Sequence, residues 1–162
     1  MDNVTINLLK NKNTQVVTSI EEAFNNDTRA FIDLAAFNAG INNLQVAKDL
    51  VVLINNKNLP ILFVLYFDTS NILCAIKTSD KMAAPINIGS SEESNINRIL
   101  NCSPAERFTY YSQTHITGVD IKHMPNANAV VTFDIDSGRS DLLQACMRMR
   151  QLAKEQTCTI VI

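Results

Sequence analysis

The sequence contains few of the residues that interrupt or crosslink a chain. Among its 162 residues are only four glycines, four prolines and four cysteines. The scarcity of glycine and proline leaves no stretch with the composition of a flexible linker. The cysteines form no CxxC pair, which argues against a disulfide or zinc framework and predicts free thiols in a reducing compartment. They are widely spaced, at Cys74, Cys102, Cys146 and Cys158.

The chain also lacks a strong net charge and a long apolar run. Its formal charge of -2 at pH 7 excludes a global attraction to nucleic acid or to an anionic membrane, and leaves only local contacts. The longest apolar runs, at residues 50–54 and 61–67, are far shorter than the roughly 20 residues that cross a bilayer. The N-terminus has no signal-peptide pattern. We therefore expect a soluble, cytoplasmic protein with no membrane partner.

Length and composition are those of one folded domain. Hydrophobic residues make up 46% of the chain and charged residues 19%, close to the average of soluble globular proteins. We predict a single domain over residues 1–162, with an N-terminal extension at residues 1–28. The extension would hold a short strand and a short helix that Ser19 and Glu22 begin as a capping box. The chain stops on an apolar residue, Ile162, which favours a fragment of a longer protein.

Two hydrophobic periodicities alternate along the first half of the chain. Residues 30–36 and 61–67 are almost continuously apolar, which is typical of strands buried on both faces of a sheet. Between them, residues 44–54 carry apolar side chains at three- and four-residue spacing, as one face of a helix does. Residues 71–78, which follow turn-forming residues that begin at Asp68, predict the second strand of an antiparallel hairpin at a sheet edge.

The second half continues the alternation of strand and helix. A capping-box pattern at Ser90 and Glu93 predicts the start of a helix that ends near Leu100. Three strands and one helix follow, the strands at residues 108–111, 129–134 and 157–162 and the helix at residues 140–155. Alternation of this kind predicts a mainly parallel sheet with helices on both faces. We therefore expect a three-layer α/β domain with an inserted antiparallel hairpin, whose ligands bind beyond the carboxyl ends of the strands.

Two polar segments of the second half are candidates for a ligand site. In the loop SQTHITGVDIKHMPN, Gly118 allows a close backbone approach and Asp120 can accept a hydrogen bond from a ribose hydroxyl. In the helix SDLLQACMRMRQLAKEQ, the side chains of Gln144, Arg148 and Gln151 lie on one face. Taken singly, a Gly-Asp turn and a solvated polar helix face are common surface features. Only their combination carries the functional hypothesis.

Together the two segments resemble the nucleotide-facing motifs in the second RecA-like domain of superfamily 2 helicases. In that family a Thr-Asp-type pair precedes Arg-Gly-Ile-Asp, and a later helix reads Gln-x-x-Gly-Arg-x-x-Arg. Here residues 112–113 are SQ and residues 117–120 are TGVD. The four helix positions are Gln144, Met147, Arg148 and Gln151. The resemblance is specific over residues 107–162, and residues 30–51 match an earlier strand-helix unit of the family more loosely.

The resemblance implies a RecA-like fold and a site that is shared with a missing N-terminal RecA-like domain. ATP with Mg²⁺ would bind only when that first domain is present, and this chain alone would bind no cofactor. Arg148 would reach the phosphates as a catalytic group together with Gln144. The residues implied to line the nucleotide cleft are Gly118, Asp120 and Gln151. Those implied to contact a nucleic-acid backbone are Ser112, Gln113 and Thr114.

The chain departs from the family pattern at three motif positions. Gln151 replaces the second arginine, Met147 replaces the glycine and Thr117 replaces the loop arginine. The neighbouring Arg150 lies well off the face of Arg148. The chain also has no GxxxxGK[ST] loop and no Asp-Glu pair after a strand, so it has no cradle of its own for phosphates or Mg²⁺. These departures weigh against ATP hydrolysis, even in a longer parent protein.

Other interpretations stay open at the level of sequence. A looser resemblance links residues 109–133 and 142–156 to the C-terminal region of large fungal and intracellular-bacterial proteins that carry a ubiquitin hydrolase label. It favours a degenerate RecA-like interaction module that binds ubiquitin or acts as a secreted effector in a host cytosol. A thiol hydrolase would require an exposed, activated cysteine, for which Cys102 is the candidate. The histidines, His115 and His123, have no metal-site spacing.

Overall fold

The secondary structure follows the predicted alternation of strands and helices. A computed structural model describes residues 14–17, 19–35, 38, 40–112, 121–133 and 156–162. The described strands are β1 (Thr14–Val17), β2 (Thr28–Ile32), β3 (Phe63–Phe67), β4 (Leu73–Lys77), β5 (Ile86–Gly89), β6 (Arg107–Tyr111), β7 (Asn128–Thr132) and β8 (Thr157–Val161). The described helices are α1 (Ile20–Ala23), α2 (Asn43–Asn56) and α3 (Glu93–Leu100), with a 3-10 turn at Pro104–Glu106.

All eight strands belong to one sheet, in the order β1-β8-β7-β2-β6-β3-β4-β5. The six strands from β1 to β3 in this order are mutually parallel. At the other edge, β3 pairs with β4 and β4 pairs with β5 in antiparallel fashion. The sheet is therefore mainly parallel, and the antiparallel hairpin predicted after Asp68 is present at its edge.

Two hydrophobic clusters cover the two faces of the sheet. On one face, α1 and α2 pack on side chains such as Phe31, Val64 and Val130. On the opposite face, Ile96 and Leu100 of α3 belong to a cluster that includes Ile32 and Val131. The chain moves in opposite directions along the sheet at these two crossovers, and right-handed connections then require helices on opposite faces. The predicted three-layer α/β architecture is confirmed, whereas its assignment to the RecA-like group stays a prediction.

Burial of side chains on both faces of the sheet explains why the central segments are strands. In β2 the whole segment is buried, with Ile32 directed to one face and Phe31 to the other. The sequence pattern extended this strand to residue 36, but it ends at Ile32 because the next residue, Asp33, uses its side chain to hold a turn. A charged residue inside an apolar run therefore marks the end of this strand.

The capping predictions had mixed outcomes. The hydroxyl of Ser19 accepts a hydrogen bond from the Glu22 amide at the start of α1, as predicted. The capping box predicted at Ser90 was wrong, because α3 begins at Glu93 with no side-chain cap, and Ser90 accepts from the Glu92 amide instead. A full capping box lies at Ser103 and opens the 3-10 turn.

The antiparallel edge holds one strand more than the sequence predicted. The segment Ile86–Gly89, which precedes the predicted helix start at Ser90, pairs with β4 as β5. At the far edge β1, which falls within the predicted N-terminal extension, pairs with β8. The short strand predicted in the extension is thus present as β1, whereas β5, with four residues, is too short for a periodicity to be recognised in sequence. No described helix has the length and apolarity needed to cross a membrane.

The packing of α2 on the sheet provides a test of the fold. Ile54 is fully buried, whereas Val52 on the same helix is 40% exposed. We expect Ile54→Ala to lower the free energy of unfolding by about 3 kcal/mol, through lost burial and a residual cavity. The control Val52→Ala should change it by about 0.5 kcal/mol or less. Urea denaturation followed by circular dichroism measures both, and equal effects would contradict the assigned face.

Candidate ligand site at the carboxyl edge of the sheet

The strand order creates a topological switch point between β2 and β7. These two strands are neighbours, but the chain leaves β2 toward β3 on one side and leaves β7 toward β8 on the other. Connections that diverge in this way leave a crevice beyond the carboxyl ends of the two strands, which is where open α/β sheets bind their ligands. The switch point therefore places the candidate site next to Asp33 and Phe133, the residues that follow β2 and β7.

A buried carboxylate forms the floor of this crevice. Asp33 is only 2% exposed, and its Oδ1 accepts a hydrogen bond of 2.8 Å from the hydroxyl of Thr132 at the end of β7. Its Oδ2 accepts from the Asn38 amide at 2.8 Å. The Thr132 hydroxyl in turn accepts from the Ala35 amide at 2.9 Å. These three bonds fix the first turn after β2 against the end of β7.

The strand on the other side of β2 also ends in polar groups. The Asp33 amide donates to the Tyr111 carbonyl at 2.9 Å, which extends the pairing of β2 with β6. Tyr111 is fully buried, and its hydroxyl lies 2.9 Å from Nε2 of His123. Ser112, the next residue, is half-buried at the carboxyl edge. The rim of the crevice therefore combines a carboxylate, two hydroxyl side chains and backbone amides.

The described part of the carboxyl edge carries two carboxylates at the ends of β2 and β3. Asp33 follows β2 and Asp68 follows β3, and no lysine, arginine or histidine is present among the described residues at these strand ends or in the first turn of α2. Burial, and to a lesser extent the Asp33 carboxylate, raises the pKa of Tyr110 beneath the crevice. Phosphate binding here would therefore require cations from another part of the chain or from a partner.

Most of the site residues predicted from sequence lie outside the described residues. Of the predicted nucleic-acid contacts, Ser112 lies at the carboxyl end of β6, beside β2. The remaining predicted site residues lie outside the described residues, and they are Gln113, Thr114, Gly118, Asp120, Gln144, Arg148 and Gln151. In chain order, the first four follow β6 directly and the last three follow β7. The two segments that carry the helicase resemblance are thus joined to the strands on either side of β2.

The residues at the switch point itself were not selected as site residues from sequence. Asp33 was recognised only as the break in the apolar run AFIDLAA, and Thr132 only as part of a strand. The available signal was the position of an acidic residue directly after a doubly buried strand, because that position faces the ligand crevice of an α/β sheet. The pairing of Asp33 with Thr132 spans 99 residues of sequence and required the strand order.

The cysteine prediction requires a correction. Cys102 was the candidate for the exposed thiol of a hydrolase, but it is only 3% exposed. Burial raises the pKa of its thiol, although the Arg107 guanidinium acts in the opposite direction. Cys74 and Cys158 are buried on strands, and Cys146 lies outside the described residues. A buried thiol with a raised pKa lacks the thiolate character of a nucleophile.

The histidine predictions concern one described residue. His123 is 7% exposed and contacts the Tyr111 hydroxyl, whereas His115 lies outside the described residues. Within the described ranges, no three His, Cys, Asp or Glu side chains form a group that could hold a metal ion.

Comparisons with protein-family models, curated proteins and solved structures found no match to this chain. Its function must therefore be argued from the chemistry of the site rather than from a relative.

Two buried threonines on the strands that flank β2 provide a matched test of the floor of the crevice. Thr132→Val removes a donor to Asp33 and an acceptor for the Ala35 amide, and we expect it to cost about 2 kcal/mol of unfolding free energy. Thr109 on β6 is equally buried, but its hydroxyl has no hydrogen-bond partner among the described residues. Thr109→Val should therefore be neutral or stabilising by up to about 1 kcal/mol.

Urea denaturation of both variants measures the difference, and Thr132→Ser should restore stability because it keeps the hydroxyl. A cost for Thr132→Val that is no larger than that for Thr109→Val would refute the assigned role of Thr132.

Proposed function

We propose that the chain is a helicase-like domain that contributes one wall of a nucleotide site shared with a separate first RecA-like domain. The observation that carries the proposal is the switch point between β2 and β7. The segment with Gly118 and Asp120 and the segment with Gln144, Arg148 and Gln151 follow the strands on either side of β2. Crevices of this kind are the usual nucleotide sites of open α/β sheets.

The charge distribution supports a shared site rather than a complete one. Asp33 and Asp68 place two carboxylates at the described edge, so triphosphate binding would need cations such as Arg148 of the segment after β7 and groups of a partner. Arg148 would supply this charge to phosphates and Mg²⁺ held by the first domain. Binding of ATP between the two domains would favour their closed arrangement. Ser112, Gln113 and Thr114 would contact a nucleic-acid backbone from the same edge.

We place this activity in the cytoplasm. The described cysteines are all free thiols, as is usual for proteins of a reducing compartment.

The proposal predicts weak nucleotide binding at a defined position. We expect the isolated chain to show no ATP turnover and to bind ATP with Mg²⁺ with a Kd of about 1 mM or weaker, because one wall of the site is absent. In ¹⁵N–¹H NMR spectra, the amide shifts should concentrate at the carboxyl edge, at Asp33 and Ser112. Arg148→Ala should abolish them, because it removes the cation that faces the phosphates.

The matched control is Arg98→Ala. Arg98 is an exposed arginine on α3 that donates to the side chain of Asn95, away from the carboxyl ends of β2 and β7. This variant should keep the shifts. Equal shifts in both variants would remove Arg148 from the site. Shifts at the amino edge, around Arg29 and Asn128, would contradict the proposed location.

One observation favours the second candidate, an interaction module of a ubiquitin-linked or effector protein. The replacement of the second motif arginine by Gln151 is what a RecA-like domain that has lost nucleotide chemistry would show. This candidate predicts amide shifts on addition of unlabelled ubiquitin and none on addition of ATP. Under the helicase-like proposal the outcome is reversed. The same labelled sample and the same carboxyl-edge signals serve both titrations.

A further inference from the structure

A separate cavity opens at the same edge of the sheet, beyond the carboxyl end of β3. Its volume is about 280 Å³, and it lies between the turn that joins β3 to β4 and the first turn of α2. It is lined by Ile41, Asn42, Asn43, Leu44, Tyr66, Asp68 and Thr69. The walls combine two aliphatic side chains with a carboxylate, a phenol, a hydroxyl and two amides. In small-molecule sites, apolar side chains cover the ligand and polar groups fix its orientation.

The two oxygens of the Asp68 carboxylate have different surroundings. Oδ1 accepts hydrogen bonds from the Ser70 amide at 2.8 Å and the Ile72 amide at 2.9 Å, and so shapes the β3–β4 turn. At Oδ2 the described contact is the Cys74 thiol at 3.8 Å, a weak donor at long range. A carboxylate oxygen has two lone pairs, so Oδ2 retains the capacity to accept from a ligand hydroxyl or amine.

The described lining disfavours an anionic ligand group. Among its described residues are the Asp68 carboxylate and no cationic side chain. Tyr66 adds no charge, because burial, with contributions from Cys74 and Asp68, raises its pKa to about 12. A phosphate beside Asp68 would be repelled. The ligand group that fits is therefore uncharged, carries hydroxyl donors, and has an apolar part for Ile41 and Leu44.

The cavity lies within reach of the switch point along the same edge. One strand, β6, separates β3 from β2, so the ends of β3 and β2 are about 10 Å apart at the usual strand spacing. A nucleotide with its phosphates near β2 and β7 could therefore place its nucleoside at β3.

We infer that the cavity beyond β3 is the nucleoside pocket of the site, with ribose hydroxyls donating to Oδ2 of Asp68 and the base beside Ile41 and Leu44. The inference rests on the proposed function, which it extends by assigning the uncharged half of the ligand to residues of the hairpin turn and of α2. It assigns no phosphate contact to the cavity.

The test uses adenosine, which has no phosphate, and the variant Asp68→Asn. In the variant, the Ser70 and Ile72 amides should still donate to the side-chain oxygen of asparagine, so the β3–β4 turn is retained. The NH₂ group of asparagine then takes the position of Oδ2, where a donor replaces an acceptor. In the wild-type chain, adenosine should shift the amides of Leu44 and Thr69. Asp68→Asn should weaken adenosine binding about tenfold or more, because a hydrogen bond to a charged group is lost.

A second test compares two ligands on the wild-type chain, so it does not depend on how the variant folds. 2′,3′-Dideoxyadenosine lacks both ribose hydroxyls, so it should bind the wild-type chain about tenfold more weakly than adenosine and should be insensitive to Asp68→Asn. The matched control is Asp80→Asn, since Asp80 also accepts from a turn amide, that of Met82, through Oδ1 but lies outside the cavity. Asp80→Asn should leave adenosine binding unchanged.

The outcomes separate the inference from the proposed function. Absent shifts at Leu44 and Thr69 with adenosine, or equal binding of adenosine and its dideoxy analogue, would overturn the inference. If ATP still shifts Asp33 and Ser112 in an Arg148-dependent manner, the proposed function stands without the pocket. If adenosine occupies the cavity while the ATP shifts do not depend on Arg148, the pocket stands and the shared phosphate site fails.

Discussion

The structure depends on keeping the backbone of β2 paired on both sides. β6 and β7 supply this pairing in parallel register, and side chains on both faces of β2 are buried. Without water on either face, an unpaired amide would cost free energy comparable to a lost hydrogen bond. Where the strand ends, Thr132 continues the pairing by accepting from the Ala35 amide and donating to Asp33. The Asp33 carboxylate is therefore first a structural group.

The location of the candidate site follows from this pairing. Because β2 has parallel neighbours on both sides, the chain must build the sheet first toward one edge and later toward the other. This change of direction creates the crevice between β2 and β7. The connections that leave β6 and β7 then begin beside the crevice. Variable polar residues in those connections can change the ligand chemistry without disturbing the strands beneath.

The sequence predicted the central elements well, because doubly buried strands such as residues 63–67 and the amphipathic helix α2 have strong periodicities. The short edge strand β5 and the true capping box at Ser103 were missed, since four residues carry little pattern and a capping pattern also occurs without a cap. At the site, Asp33 and Thr132 could not be joined from sequence. Their contact depends on a strand order that places residues far apart in the chain side by side.

Electrostatics would fix the direction in which a nucleotide lies along this edge. The described lining of the cavity beyond β3 includes the Asp68 carboxylate and no cationic side chain, so these residues would repel phosphates there. At the other end, the segment after β7 carries Arg148, a group suited to bidentate contact with phosphate. A nucleotide in the reverse orientation would bring like charges together at β3 and leave the arginine without an anion. The proposed orientation, with nucleoside at β3 and phosphates toward β7, is the one in which each end of the ligand meets a group of complementary chemistry.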